Sequence, residues 1–178
     1  IQANPNTVLA AAADINPEMQ ADLPEGTPFF KDIEEMLRDV DFDVLCVCTP
    51  NYLHSRHAIA GLIHGHHVVV EKPMALTVTD CDAIIEAGKT ARKKIFTVMQ
   101  NRYSPIARMA KDTIDSNRLG DIYMIQVNCF WNRNADYYHQ SAWRGTKQMD
   151  GGVLFTQFSH FVDMLYFLHG PMKEYISG

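Results

Sequence analysis

The sequence has no G-x-G-x-x-G, no C-x-x-C, no excess of positive charge and no apolar run approaching the ~20 residues that cross a bilayer. With 16 Lys and Arg against 21 Asp and Glu, the formal charge is −5, so no basic field gathers nucleic acid or anionic lipid. Neither nucleic acid nor a membrane is therefore expected as a partner. Four cysteines are too few and too poorly spaced for a disulfide framework. Cys46 and Cys48 stand two apart in one apolar run, where strand geometry points them the same way. Buried, reduced thiols in the cytoplasm are expected instead. The chain has no initial Met and no signal-like segment; it opens on Ile1 and stops at Ile176-Ser177-Gly178, where a strand is beginning. It is expected to be a piece of something longer. Collagen, a disordered tail and a disulfide-stapled miniprotein are excluded by ordinary globular usage, 47% apolar and 21% charged over 178 residues.

What is present, over the first hundred residues, is alternation. Apolar runs at Thr7 to Ala13, Asp43 to Cys48, His67 to Val70 and Lys94 to Met99 read as strands. They are apolar throughout rather than alternating, which suits strands covered on both faces in a parallel sheet. Between them, Ile33, Met36, Leu37 and Val40 recur at helical spacing, as do His57, Ala58, Gly61 and Leu62, then Cys81, Ile84, Ile85 and Gly88. Val78-Thr79-Asp80 offers capping groups for the third helix. Strand–helix alternation of this density predicts a doubly wound α/β domain.

After Arg102 the pattern changes. Pro105 to Asn117 is helical, and Ile122 to Trp131 alternates like a strand of an open-faced sheet. Asn132 to Lys147 is polar and aromatic without a period, Val153 to Leu168 is strongly helical, and Lys173 onward begins another strand. The domain boundary is placed near residue 101, giving units 1–101 and 102–178. No internal repeat or low-complexity segment is present.

The polar residues are informative by position. Ligands of open parallel sheets bind outside the carboxyl ends of strands, and the four runs end in Asp14, Thr49 to Asn51, Glu71-Lys72 and Gln100-Asn101. A carboxylate at Asp14 suits both hydroxyls of an adenosine ribose and repels the extra phosphate of NADP; a turn residue before Asn16-Pro17 is the plainer reading. On the last helix, Thr156, Ser159, His160 and Asp163 share one stripe of an otherwise apolar, largely buried surface. A buried polar stripe faces a site or a network, and His160 is suited to accept a proton near neutral pH. Gly151-Gly152 before that helix permits close backbone approach.

Taken in order, several motifs resemble the glucose–fructose oxidoreductase / inositol dehydrogenase / rhizopine catabolism (Gfo/Idh/MocA) family of NAD(P)-dependent oxidoreductases. They are Cys48-Thr49-Pro50-Asn51 with His54, Glu71-Lys72-Pro73-Met74-Ala75, Gln100-Asn101-Arg102, Trp143-Arg144-Gly145, and Gly151-Gly152 followed by His160. The resemblance implies a Rossmann domain, here lacking its first strand and glycine loop. An incomplete α+β domain would follow, with an open, mainly antiparallel sheet through which homo-oligomers form. It implies NAD as cofactor, with NADP disfavoured by Asp14, and no metal. By position, Lys72 is the family's catalytic lysine, beside a Pro73 whose peptide bond is often cis. Asp14, Thr49, Pro50, Asn51, His54, Glu71, Lys72, Gln100, Trp143 and Arg144 fall at cofactor positions. Lys72, Arg102, Tyr138, Gln157 and His160 fall toward substrate. The family's aspartate one turn before the histidine is Thr156 here, which cannot share a proton as a carboxylate does.

The expected activity is hydride transfer from a hydroxyl of a sugar, sugar acid or nucleotide sugar to the nicotinamide, with His160 taking the proton and Lys72 stabilising the alkoxide. A polar-aromatic stretch from Trp131 to Trp143 offers hydroxyl partners beside stacking surfaces. An NAD-dependent glycosidase and a non-catalytic NAD or sugar sensor are the alternatives. His64-Gly65-His66-His67 is read as a helix end rather than a metal site, and the acids from Asp32 to Asp43 as a solvated helix face.

Overall fold

Two parallel ladders carry the first half of the chain. In the computed structural model, residues 1–171 and Glu174 are described; the strand expected from Lys173 lies outside the described residues. The chain divides into two compact units. One comprises residues 1–48, 53–70 and 77–96, and the other residues 49–52, 71–76 and 97–178.

In the first unit, β1 (Ala12–Ala13) pairs in parallel with β2 (Phe29–Phe30). A second sheet has the order β3 (Val44–Val47), β4 (His67–Val70), β5 (Ile95–Thr97), with β3 and β4 parallel. Helices α1 (Ile33–Asp39), α2 (His54–Ile63) and α3 (Val78–Ala91) complete it. The alternation of strand and helix is the one the periodicity predicts. The first strand is shorter than its apolar run, and Asp32 rather than solvent alone organises the acidic stretch, its carboxylate capping α1 through Glu34 N–H at 2.9 Å. The cap of α3 is Thr77, one residue before the expected group: its hydroxyl accepts from Asp80 N–H at 3.0 Å and donates to the Asp80 carboxylate at 2.7 Å.

The core of this unit is Leu45, Val47, Val68 and Val70 under Ala58, Leu62 and Ile84. Gly61 lets α2 lie directly on β3, since a Cβ there would stand 2.6 Å from Leu45 Cδ2. The expectation of strands covered on both faces fails for β3. Leu45 and Val47 are buried, whereas Val44 and Cys46 on the opposite face are exposed among the described residues. For the same reason Cys46 is not a buried thiol, and Cys48 is exposed as well. The histidines after α2 each have a separate structural partner. His64 Nδ1 meets Ala60 O at 2.9 Å, and His66 stacks on Phe42 with Nδ1 2.7 Å from Phe42 O. His67 Nδ1 accepts Lys94 N–H at 2.9 Å.

The second unit holds α4 (Pro105–Asp115), capped by Ser104, and four further helices: α5 (Ala135–His139), α6 (Lys147–Asp150), α7 (Val153–Thr156) and α8 (Ser159–His169). Two sequence expectations are corrected here. Residues 122–131 form no strand, and Tyr123 and Phe130 are 93% and 96% exposed; alternation makes a strand only where a neighbour supplies a ladder, and the described residues supply none. The single buried helix over 153–168 is two helices with no buried residue in either. Phe158 N–H reaches back five residues to Val153 O at 2.9 Å, and Phe161 N–H only three, to Phe158 O at 2.9 Å. The helical register slips there, so Thr156 leaves the stripe of Ser159, His160 and Asp163.

Candidate active site

Lys72 lies in the loop after β4, with a cis peptide bond joining it to Pro73. Its ammonium donates to the Thr156 carbonyl at 2.6 Å. The same carbonyl accepts Ser159 Oγ–H at 3.2 Å. The Thr156 hydroxyl is turned to the backbone, donating to Gly152 O at 3.1 Å. It therefore closes the first turn of α7 rather than orienting His160. Gly151, at φ +83°, turns the chain ahead of it; a Cβ there would meet Leu76 Cδ2 at 2.7 Å.

Two groups carry shifted proton affinities with physical causes. Burial pulls the Lys72 ammonium below its ordinary range, while the negative charges of Glu71 and Asp150 work against that. Burial, then the Lys72 charge, lowers His160, opposed by Asp163 and Glu71. Both shifts run downward, which favours the neutral imidazole at His160 and weakens the hold of Lys72 on its proton.

Arg102 is engaged by a carboxylate. Its Nε donates to both Asp163 carboxylate oxygens, at 3.1 and 2.9 Å, and the guanidinium lies over the rings of Tyr166 and Phe167 at 6.0 and 5.5 Å. The pair joins the 3₁₀ turn at Gln100–Tyr103 to α8, the helix of His160. Asp163 and Arg102 are legible one by one in the sequence, but a pairing across 61 positions is not.

A cleft of about 350 Å³ is lined by Tyr138, Arg144, Gly145, Asp150, Gly152 and Thr156. Beside it, the Arg133 guanidinium lies 4.4 Å from the Trp131 ring and 4.5 Å from that of Tyr137, which also carries Arg144 at 4.8 Å. Gln157 bridges this group, donating to Tyr137 Oη at 3.2 Å and accepting from Arg133 at 3.4 Å. Arg133 Nε is buried with no hydrogen-bond partner among the described residues. Asp150, which sequence reasoning passed over, is 5% exposed at the end of α6. Its signal was its place directly before Gly151-Gly152.

Other sequence-selected residues are placed as follows. Asn51 is buried and donates to Asp150 O at 2.9 Å, and Gln100 is exposed on its turn. Thr49 and Pro50 are half-buried in the loop after β3, and Trp143 is half-buried ahead of Gly145. Asp14 and His54 belong to the first unit. Asp14 is exposed beyond β1, one carboxylate oxygen accepting Asn16 N–H at 2.8 Å. That bond is the turn contact expected of an Asp before Asn16-Pro17. His54 is 1% exposed at the start of α2.

Parallel strands alternating with helices place the first unit in the α/β class. Residues 1–99 match the profile described as "Oxidoreductase family, NAD-binding Rossmann fold", and residues 107–177 match the GFO/IDH/MocA C-terminal domain. The chain belongs to the Gfo/Idh/MocA oxidoreductase family. It is 33% identical over 165 residues to the 1-carboxy-3-chloro-3,4-dihydroxycyclohexa-1,5-diene dehydrogenase of Comamonas testosteroni, covering 90% of this chain and 41% of that protein. The WlbA dehydrogenase of Bordetella pertussis, solved with NADH and UDP-GlcNAcA, superposes with a TM-score of 0.86 at 38% identity, covering 90% of this chain and 47% of that one. A levoglucosan dehydrogenase solved with NADH and levoglucosan gives a TM-score of 0.75 at 28% identity, covering 91% and 45%. The chain thus spans less than half the length of these relatives. Among the described residues, no helix is long and apolar enough to cross a membrane.

Proposed function

We propose that the complete protein is an NAD-dependent oxidoreductase acting on a hydroxyl of a sugar that carries an acidic group. The observation that carries this reading is Lys72, whose ammonium donates to the Thr156 carbonyl at 2.6 Å and whose charge, after burial, lowers His160. When bound, NAD supplies the hydride acceptor. His160 takes the hydroxyl proton at a ring nitrogen. Lys72 donates a charge-assisted hydrogen bond to the oxygen as negative charge develops, exchanging it for the Thr156 carbonyl. Asp14 would hold the adenosine ribose, and its charge disfavours a 2′-phosphate.

The acidic group is supported by Arg133 and Arg144. Both stack on Tyr137, and neither has a carboxylate within ion-pair distance among the described residues. Two guanidiniums gathered without a counter-charge favour an anion, as carboxylate or phosphate. The UDP-GlcNAcA of the WlbA complex carries such groups, which supports extending the reading to sugar acids and nucleotide sugars. Cytoplasmic location and self-association belong to the same reading. The test is NADH formation by the complete protein across neutral sugars, sugar acids, sugar phosphates and UDP-sugars. Turnover of acidic sugars, with KM raised by Arg133→Met while NAD affinity holds, is the expected result. Turnover confined to neutral sugars would refute the acidic specificity.

A further inference from the structure

Arg133, Gln157 and Tyr137 form a chain of hydrogen bonds whose direction is forced. A guanidinium has donors and no acceptor. Arg133 Nη2–H therefore meets the Gln157 side-chain oxygen, at 3.4 Å, and the Gln157 amide N–H donates to Tyr137 Oη at 3.2 Å. What the cluster has left over is donors: the Tyr137 hydroxyl proton and the buried Arg133 Nε–H, neither with an acceptor among the described residues. The guanidinium is also fixed in place, over the Trp131 and Tyr137 rings at 4.4 and 4.5 Å. Gln157 is held by its own backbone, whose N–H closes α7 on Val153 O at 3.1 Å. A second guanidinium repeats the pattern. Arg144 lies over the same Tyr137 ring at 4.8 Å and donates to another neutral amide, Gln140 Oε1, at 3.1 Å. Asp136, beside Tyr137 on α5, accepts Asn134 Nδ2–H at 3.2 Å and is in no ion pair among the described residues.

We propose that Gln157 is a positioning residue that sets the charge specificity of this cluster: its neutral amide orients Arg133 and leaves the guanidinium's charge for an anionic group of the substrate. This rests on the reading of the substrate as an acidic sugar. A carboxylate at position 157 would meet the same Arg133 donor and pair with it, and a guanidinium already paired has little charge to offer a ligand. An apolar side chain there would spare the charge but release Arg133 and the Tyr137 hydroxyl from their settings. The amide does both, an acceptor for the guanidinium and a donor for the phenol in one planar group.

The test uses the complete protein saturated with NADH and measures calorimetric binding of glucose, glucuronate and glucose 6-phosphate. The last two separate a carboxylate from a phosphate as the anion. Wild type is expected to prefer at least one of the anions to glucose. Gln157→Glu, which keeps the shape and gains a partner in Arg133, should weaken the preferred anion by about tenfold or more, the worth of one charge-assisted contact. Glucose binding should stay within about twofold of wild type. Gln157→Met should weaken the anion less, since Arg133 keeps its charge. Equal losses on all three probes, or Gln157→Met costing as much as Gln157→Glu, would show a merely structural amide and overturn the proposal. An anion weakened by Arg133→Met but not by Gln157→Glu would overturn it too, while sparing the acidic reading. Wild type binding neither anion better than glucose would overturn both.

Discussion

Replacing Asp163 by Asn tests whether the Arg102–Asp163 pair supports the helix that carries His160. The substitution keeps the side chain's volume and removes its charge. Arg102 then loses a carboxylate that accepts both of its Nε contacts, at 3.1 and 2.9 Å. Losing one partner of a fully buried pair costs about 3–5 kcal/mol; an exposed pair is worth about 0–1 kcal/mol. Here the Asp163 side chain is 9% exposed and that of Arg102 34%, so water still reaches the guanidinium, and the stacking on Tyr166 and Phe167 remains. The screened value lies between these limits, at about 2 kcal/mol. Urea unfolding of wild type, Asp163→Asn, Arg102→Met and the double variant gives the coupling energy directly. The same variant removes one of the two anions that oppose the lowering of His160, leaving Glu71, so the imidazole should titrate at still lower pH by NMR. A coupling below about 0.5 kcal/mol with an unmoved His160 would show a solvated pair that braces nothing.

Acidification offers a second check. The His160 pKa in the fold lies below the ordinary 6.5, burial being the first cause. The unfolded chain therefore binds the proton more readily, and stability rises with pH through the window below 6.5. That contribution is complete above the window and is lost as pH falls through the lowered value; His160→Gln should flatten this part of the stability–pH curve, and an unchanged slope counts against a depressed imidazole. For the cofactor, Asp14→Asn should narrow the preference for NAD over NADP by roughly tenfold or more, one charge contact being worth about 1–3 kcal/mol, as read from the two KM values. A ratio equal to wild type would leave Asp14 as a turn residue only.

The α/β alternation was legible because short apolar runs such as Asp43 to Cys48 and His67 to Val70 are separated by helical spacing such as that of Ala58 and Leu62, and these become β3, β4 and α2. Lys72 was singled out by its place at a strand end and by the family motif around it, and His160 by its place on a polar stripe of an apolar helix. Three features were not. The alternation from Ile122 to Trp131 does not become a strand among the described residues, because pairing depends on a neighbour that local sequence does not reveal. The slip at Gln157–Phe158 lies in a stretch whose apolar period continues through it, and it is fixed by long-range bonds such as Lys72 to Thr156 O. Asp150 looks like an ordinary turn acid until Asn51 and Gly145, 99 and 5 positions away, are seen to close on it.

The most direct test of the central claim is Lys72→Ala in the complete protein, with NADH formation measured on an acidic sugar substrate and NAD affinity measured separately. A general stabiliser of developing charge contributes about 10²–10³-fold or more to kcat. The expected result is a loss of at least that size with NAD affinity within about twofold of wild type, since the proposed role of this ammonium is at the substrate oxygen. Retained turnover, or an equal loss of NAD binding, would contradict the account.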